Sequence, residues 1–352
     1  MTLYRKYRPR KFSEVVGQEH ITRTLVRELL AGKLGHAYLF CGTRGTGKTS
    51  VAKIFAQAVN CEHLHENGDP CGECDSCKSI LAGINTDVVE MDAASNNGVE
   101  NVRALRDEVL FAPSSSKYRV YIIDEVHMMT GAAFNALLKT LEEPPKHAIF
   151  ILATTEVHKV PITIQSRCQR FDFRRLTSSE ISSRLEEVAG KEGIKIEKAA
   201  CDVIANLADG AMRDALSLLE KCKAAGVVTV SNVYEVLGVA SGAEIFELVD
   251  CLIKKDVRGA LDISNIIANR NGDVNNVFNM IFVHFSNLAV CKFGASEILE
   301  VGELERLKEQ ASKADSDFIV KAMQKCREMI GIARFSGITK PLLQALIVEL
   351  LG

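Results

Sequence analysis

The sequence predicts an α/β domain, a mostly parallel sheet with helices on both faces, followed by helices alone. Three observations predict it. Short, near-continuously apolar runs alternate with helical patterns through the first half. A glycine-rich loop of phosphate-binding type lies between one such run and a helical pattern. From about residue 176 the apolar runs stop and only helical periodicity remains.

Ala37–Cys41, Val88–Met91, Val120–Ile123 and Ala148–Ala153 read as strands. A strand covered on both faces must be apolar throughout, and these runs nearly are. The clearest helix runs from Ala132 to Glu142, with Phe134, Leu137, Leu138 and Leu141 at i, i+3, i+4, i+7; Pro144 and Pro145 end it. Strand-helix alternation implies parallel strands joined by crossovers. Thr177-Ser-Ser-Glu180 has the form of a capping box and starts the helical region, whose first part reaches about Leu237. The small-residue stretch Gly238-Val-Ala-Ser-Gly242 reads as a second boundary, and residues 243–351 are helical in pattern.

At 352 residues the chain should hold two or three domains, and 47% hydrophobic residues suffice for a sizeable core. Charged residues make up 25% and nearly balance, for a formal net charge of −2. That excludes a wholesale basic nucleic-acid binder but leaves room for a local basic patch. No stretch has the length of a transmembrane helix, and the basic Met1–Arg10 segment lacks the apolar core of a signal peptide. An intracellular, cytoplasmic protein is expected. Of 11 cysteines, four cluster between 61 and 77; Cys201, Cys251 and Cys291 sit singly in apolar segments and read as small hydrophobes.

The loop Gly42-Thr43-Arg44-Gly45-Thr46-Gly47-Lys48-Thr49 follows a strand and opens the helical pattern Ser50–Val59. Its glycines let the backbone curl so that amide N–H groups face phosphate oxygens, and the helix N-terminus adds its dipole. Lys48 is expected to reach the β- and γ-phosphates of ATP, and Thr49 to ligate Mg²⁺. An ordinary glycine-rich turn is the bland alternative, which the order strand, loop, Lys-Thr and helix disfavours. Val120-Tyr-Ile-Ile-Asp124-Glu125 delivers two carboxylates at a strand's C-terminal end, where ligands bind in open α/β sheets. Asp124 is expected to hold the Mg²⁺ shell and Glu125 to polarise the attacking water; a solvated acidic turn is the alternative.

Cys61, Cys71, Cys74 and Cys77 have spacing suited to a closed tetrahedral Zn²⁺ site, with Pro70, Gly72 and Asp75 suited to the tight turns. A bacterial iron–sulfur run would carry a further Cys followed by Pro soon after the third; Lys78-Ser79-Ile80 stands there instead. Structural zinc is preferred, with redox chemistry the rival.

Together the phosphate loop, Asp124-Glu125-Val126-His127, the four-Cys insert between them and Ser166-Arg167-Cys168 resemble the γ/τ subunits of bacterial DNA polymerase III. These are the motor subunits of replicative sliding-clamp loaders, in the AAA+ superfamily. Tyr4–Arg10, Phe12 and Val15–Glu19 share the resemblance, which is specific to about residue 240 and weaker beyond it. It implies an AAA+ core over 1–175 with a zinc insert at 61–77, a helical lid over 176–240 and an all-α collar over 241–352.

The resemblance assigns further roles. Thr155 matches the first sensor near the γ-phosphate, and Arg167 the arginine finger that enters a neighbouring subunit's site. Arg213 matches the second sensor on the lid, and Tyr7, Arg8, Val16 and Gly17 the part that cradles adenine and ribose. Taken alone, Thr155 could cap a turn, Arg167 could be a surface ion-pair partner and Arg213 a plain helix-surface residue. Implied partners are δ and δ′ subunits, other copies of the chain, the β clamp and primer–template DNA bound without sequence reading. The implied activity is ATP hydrolysis that loads the clamp during DNA replication. No polymerase active site is recognisable, so a polymerase label would come from the holoenzyme alone.

Met128–Phe134 could touch the clamp or be core, with core favoured residue by residue. Arg103 and Arg106, on a helix after Ser95-Asn-Asn-Gly98, could meet a DNA backbone or form a solvated charged face. The family's long form carries C-terminal segments for polymerase and helicase, and a sequence ending at Gly352 is expected to lack those tethers. A scaffold with little hydrolysis is the rival of a different class, disfavoured by the intact Gly47-Lys48-Thr49 and Asp124-Glu125. The four-Cys insert disfavours other AAA+ remodellers.

Overall fold

The computed structural model describes residues 2–237, 240–269, 274–299, 304–333 and 339–352. The chain forms two compact units, Met1–Val228 and Thr229–Gly352. Gly238 and Val239 of the expected second boundary lie outside the described residues.

The first unit is built on a five-stranded sheet of β1 (Ala37–Cys41), β2 (Val88–Asp92), β3 (Arg119–Asp124), β4 (Ala148–Thr154) and β5 (Gln169–Asp172). Every pairing is parallel and the order is β2-β3-β4-β1-β5. The register aligns Asp92 with Asp124, and Cys41 with both Thr154 and Asp172. The C-terminal ends therefore share one edge, and whatever follows β1, β3 and β4 is brought together there.

Its helices are α1 (Leu3–Lys6), α2 (Glu19–Leu30), α3 (Lys48–Val59), α4 (Asp75–Ala82), α5 (Val99–Val109), α6 (Gly131–Glu142), α7 (Ile162–Gln165), α8 (Ser178–Glu192), α9 (Lys198–Leu207) and α10 (Met212–Cys222). Alternate strand residues feed two cores. Leu39, Tyr121, Ile123, Phe150 and Leu152 pack with Leu105 and Val109 of α5 and Leu137 and Leu141 of α6. Tyr38, Phe40, Ile122, Ile149 and Ile151 pack with Leu25 of α2 and Val51, Ile54 and Phe55 of α3.

β1 and β4 are buried along their whole length, and β3 as far as Ile123, as apolar runs require. β2 departs from that expectation: as an edge strand it is half-buried, with Glu90 and Asp92 exposed. β5, on the other edge, is Gln-Arg-Phe-Asp with only Phe171 buried, too polar to stand out as an apolar run. The expected capping box is present: Thr177 Oγ1 accepts from Glu180 N and Glu180 Oε2 accepts from Thr177 N.

Among its described residues the second unit is helical: α11 (Val230–Leu237), α12 (Gly242–Ile253), α13 (Val257–Asn269), α14 (Val274–Lys292), α15 (Leu304–Lys313), α16 (Ser316–Ala333) and α17 (Thr339–Leu351). Its core gathers Leu248, Phe278, Ile281, Phe285, Leu288, Ile319, Leu346 and Ile347. One buried polar network crosses it. Gln310 Nε2 donates to Phe246 O (3.0 Å) and Asp250 Oδ1 (2.7 Å), while Gln310 Oε1 meets His284 Nε2 at 2.6 Å. Such a satisfied network pins α12, α14 and α15 in one register. Among the described residues no helix is long and apolar enough to cross a membrane.

Candidate nucleotide site and cysteine cluster

β1 runs into the glycine-rich loop, whose Gly42, Gly45 and Gly47 have φ of 149°, 80° and 106°. These values favour glycine. Space demands it as well at two of them: a Cβ on Gly42 would lie 2.5 Å from Phe173 O, and one on Gly45 2.8 Å from Ala211 Cβ. Lys48 opens α3 and is buried, its Nζ donating to Gly42 O (2.7 Å) and Thr43 O (2.8 Å). Burial pushes its pKa down, opposed by the charges of Glu125 and Asp124. A cationic head held by two loop carbonyls at a helix N-terminus is chemistry that phosphate oxygens satisfy better.

Above the loop opens a cleft of about 530 Å³, lined by Arg44–Ser50, Asp124, Glu125, Tyr7, Arg8 and Val16, and by Arg184 and Arg213 from the helical segment beyond residue 176. Gly42, Thr43, Gly17, Thr155 and Arg167 do not line it.

Thr49 Oγ1 donates to Asp124 Oδ2 at 2.7 Å, so the loop and the end of β3 share one point. A hydroxyl beside a carboxylate is a donor set that fits Mg²⁺, which would neutralise phosphate charge there. Asp124 Oδ1 accepts from Glu125 N at 3.0 Å. Glu125 has φ 49°, a left-handed conformation that costs a non-glycine residue about 1–2 kcal/mol. That kink redirects its side chain from the strand toward the next strand end. Glu125 Oε2 accepts from Thr155 Oγ1 (2.9 Å) and Thr155 N (3.3 Å). Thr155 thus meets the carboxylate directly, a pairing the sequence did not announce.

Arg167 donates to Thr163 O (2.7 Å) and Glu142 Oε1 (2.6 Å), beside α6 and outside its own chain's cleft. The Arg213 guanidinium lies 5.0 Å from the centroid of the Tyr4 ring, a cation–π contact at the cleft wall. Tyr7 Oη donates to Glu192 Oε1 (2.6 Å), and that acceptor raises its pKa. Arg8 Nε donates to Ser50 Oγ (3.0 Å); burial lowers its pKa. Gly17 is a tight crossing, where a Cβ would sit 2.4 Å from Leu176 Cδ2.

The sequence reading missed Gln18. It is fully buried, and its Nε2 donates to Arg174 O (2.8 Å) and Thr46 O (3.4 Å), joining the loop to the segment that leads into α8. It also missed Tyr4 and Arg184 as cleft residues. Of the segment after the acidic pair, Met129, Ala133 and Phe134 are buried while Met128 is 45% exposed. Arg103 pairs with Glu100 (2.8 Å) and Arg106 with Asp107 (2.8 Å), both on the exposed face of α5.

The sulfurs of Cys61, Cys71, Cys74 and Cys77 all lie within 4.8 Å of one another, with Cys71 and Cys77 at 3.8 Å. Zinc–sulfur bonds of about 2.3 Å give a tetrahedron edge of about 3.8 Å, so the spacing fits. Backbone N–H groups are aimed at the sulfurs: Cys71 N to Cys61 Sγ (3.3 Å), Cys74 N to Cys71 Sγ (3.3 Å) and Cys77 N to Cys74 Sγ (3.4 Å). At Cys71 burial pushes the pKa up, but the Cys74 and Glu73 N–H groups outweigh it and the value falls to about 6. Such donors favour a thiolate at Cys71, while burial pushes the Cys61 and Cys77 thiols up. With four sulfurs closing the set, no position is left for a reacting group, which suits a structural ion. None of the cysteines is in a disulfide.

Residues 17–177 match the family described as DNA polymerase III, delta subunit, and residues 180–226 that described as DNA polymerase III clamp loader subunit, ATPase lid domain. The chain is 50% identical to DNA polymerase III subunit tau of Bacillus subtilis (strain 168) over 308 residues, 87% of this chain and 54% of that protein. It is 38% identical over 362 aligned positions to DNA polymerase III subunit gamma/tau of Mycobacterium tuberculosis (strain H37Rv), covering 100% of this chain and 62% of that one. The chain therefore spans about half to two thirds of these relatives. Among solved structures, the Thermotoga maritima RuvB Holliday junction branch migration motor matches with TM-score 0.50 at 20% identity, over 70% of this chain and 80% of that one. That likeness shows a shared fold and nothing more.

Proposed function

Because the chain belongs to the tau/gamma family of DNA polymerase III subunits, we propose that it is the ATP-driven motor of a bacterial replicative clamp loader. It would bind and hydrolyse ATP to place the ring-shaped β clamp on primer–template DNA. The observation that carries this reading is the 2.7 Å contact of Thr49 with Asp124 inside a cleft floored by the glycine-rich loop. A scaffold would need a phosphate loop no more than a metal-ready pair beside it.

In this reading Gly42–Thr49 hold the triphosphate, with Lys48 exchanging its two loop carbonyls for phosphate oxygens. Thr49 and Asp124 hold Mg²⁺, which supplies charge neutralisation and orientation of the phosphates. Glu125 accepts a proton from the attacking water through the carboxylate oxygen that Thr155 does not hold. Tyr7, Arg8 and Val16 flank adenine and ribose, with Gly17 permitting the chain's close pass. Arg213 on the lid turns from the Tyr4 ring to the phosphates and so couples lid to nucleotide. Arg167 points out of its own cleft and completes a neighbour's, so turnover belongs to an assembly.

The core (1–175), lid (176–240) and collar (241–352) are the proposed working divisions, with a zinc-stabilised insert at 61–77. The partners are δ and δ′ subunits, further copies of the chain, the β clamp and primed DNA held without sequence reading. Its working place is the cytoplasm. The test is reconstitution: the chain mixed with δ, δ′ and β clamp should show ATP turnover stimulated by primed DNA, and labelled clamp should appear on that DNA only with hydrolysable ATP present. Equal loading without ATP would sink the motor reading and leave the scaffold.

A further inference from the structure

His127 follows the acidic pair by two residues, yet none of the roles above uses it. Its side chain is only 6% exposed. A buried imidazole between two carboxylates is not a neutral choice of residue, because each ring nitrogen must find a partner. Here each does. Nε2 lies 3.3 Å from Glu156 Oε1. Nδ1 lies 3.0 Å from Thr154 Oγ1 and 3.4 Å from Glu125 Oε2.

The partners come from three consecutive positions at the end of β4. Thr154 touches His127, Thr155 holds Glu125, and Glu156 closes on the far edge of the ring. Glu156 is itself fixed: its N–H donates to Thr154 Oγ1 (3.0 Å), and Lys159 donates to its carboxylate (2.9 Å). The Lys159 contact holds the Glu156 carboxylate in place against Nε2. The imidazole is therefore clamped at both edges, and its Nδ1 edge faces Glu125 Oε2. Oε1 of Glu125 has no protein hydrogen bond among the described residues, and Glu125 lines the cleft.

We infer that His127 is a positioning residue for Glu125: the clamped imidazole and Thr155 together fix the Oε2 side of the carboxylate, leaving Oε1 as the oxygen offered to the cleft. The inference rests on the proposed hydrolysis, in which Glu125 activates water. His127 does not line the cleft and acts through Glu125 alone. Its removal therefore changes the rate of the chemical step and not the affinity for nucleotide.

Geometry separates the two ring edges. An Asn side chain carries its polar atom near the place of Nδ1, whereas Gln reaches the place of Nε2. The experiment compares wild type, His127→Ala, His127→Asn and His127→Gln in the assembly with δ, δ′, clamp and primed DNA, reading single-turnover ATP cleavage and, separately, nucleotide affinity with a fluorescent ATP analogue. Wild-type turnover in that assay tests the proposed function by itself. If it is present, His127→Ala should lower the cleavage rate by up to about a hundredfold at unchanged affinity. His127→Asn should recover a large part of that loss and His127→Gln little of it. An unchanged rate in His127→Ala overturns the inference. So does a loss of affinity in step with rate, or equal recovery by Asn and Gln. Should His127→Ala fail to fold, the Asn and Gln pair alone decides, since the inference requires Asn to outperform Gln.

Discussion

Thr49 at the start of α3 and Asp124 at the end of β3 meet through a 2.7 Å hydrogen bond, although 75 positions separate them. The parallel register makes this contact: β1 and β3 both deliver their following residues to one edge. Replacing Thr49 with Val keeps the shape and removes the hydroxyl. Nucleotide affinity in Mg²⁺ should fall roughly ten- to a hundredfold, the usual cost of a lost metal-site partner. Affinity measured with the metal chelated should barely differ from wild type. Isothermal titration with and without Mg²⁺ reads both.

Lys48 is expected to be the strongest single determinant of nucleotide binding. Its buried ammonium rests on two carbonyls, Gly42 O and Thr43 O, and among the described residues has no carboxylate in hydrogen-bonding contact. Lys48→Met removes the charge that the phosphates would meet. Losing one partner of a buried charge pair costs about 2–5 kcal/mol, or roughly thirtyfold or more in affinity. Fluorescent-nucleotide binding checks it, and retained tight binding would contradict the site.

Glu125→Gln should separate binding from turnover. Gln still accepts from Thr155 Oγ1, so the local fold persists, but it cannot take a proton from water. Steady-state turnover should drop about a hundred- to ten-thousandfold while affinity stays within a few-fold of wild type.

Much of this site was legible because phosphate chemistry leaves a compact signature. Gly42 to Thr49 lie within one loop, and Asp124-Glu125 follow an apolar run that can only be a buried strand. The Cys61–Cys77 spacing was equally plain. What stayed hidden depends on pairings across the sheet. Nothing in Ala-Thr154-Thr155-Glu156 says that Thr155 will hold Glu125, because the β3–β4 register decides it. Gln18 stood within the family-like segment Val15–Glu19 with no role assigned to it, and only burial shows it bonded to Arg174 and Thr46. β5 was silent because a polar edge strand carries a single buried side chain.

Metal removal should loosen one region and spare the rest. If Cys61, Cys71, Cys74 and Cys77 share a zinc ion, elemental analysis finds about one per chain, and Cys77→Ser loses it. Limited proteolysis should then cut within residues 61–83 while the sheet stays protected, since metal binding and local folding are linked. A metal-free protein with an unchanged cleavage pattern would contradict a structural role.

Acid should weaken the start of α8. Arg174 beside Glu180, followed by the Thr177 N–H and hydroxyl, holds the Glu180 carboxyl at about 2. A depressed folded-state value stabilises above the unfolded value of about 4.5, and the benefit is lost as pH falls toward about 2. Arg174 is half exposed, so screening reduces the contribution to about 1–2 kcal/mol. Thermal unfolding of wild type and Glu180→Gln should differ most above pH 5, and the gap should close steadily as pH falls from there to 3. A gap independent of pH would contradict the assignment.

The cysteine cluster also bears on how the chain acquires its sheet. β2 follows β1 in sequence, yet β3 and β4 lie between them in space, and both are made later. During synthesis β2 therefore emerges before its neighbour in the sheet, β3, exists to pair with it. The four cysteine sulfurs lie on the connection that waits, between α3 and β2. An ion captured there would close a short local loop early, at small entropic cost, and would keep that connection compact until β3 arrives. A metal-loaded insert would then act on the order and speed of assembly, and its loss should show first as slow or aggregation-prone refolding.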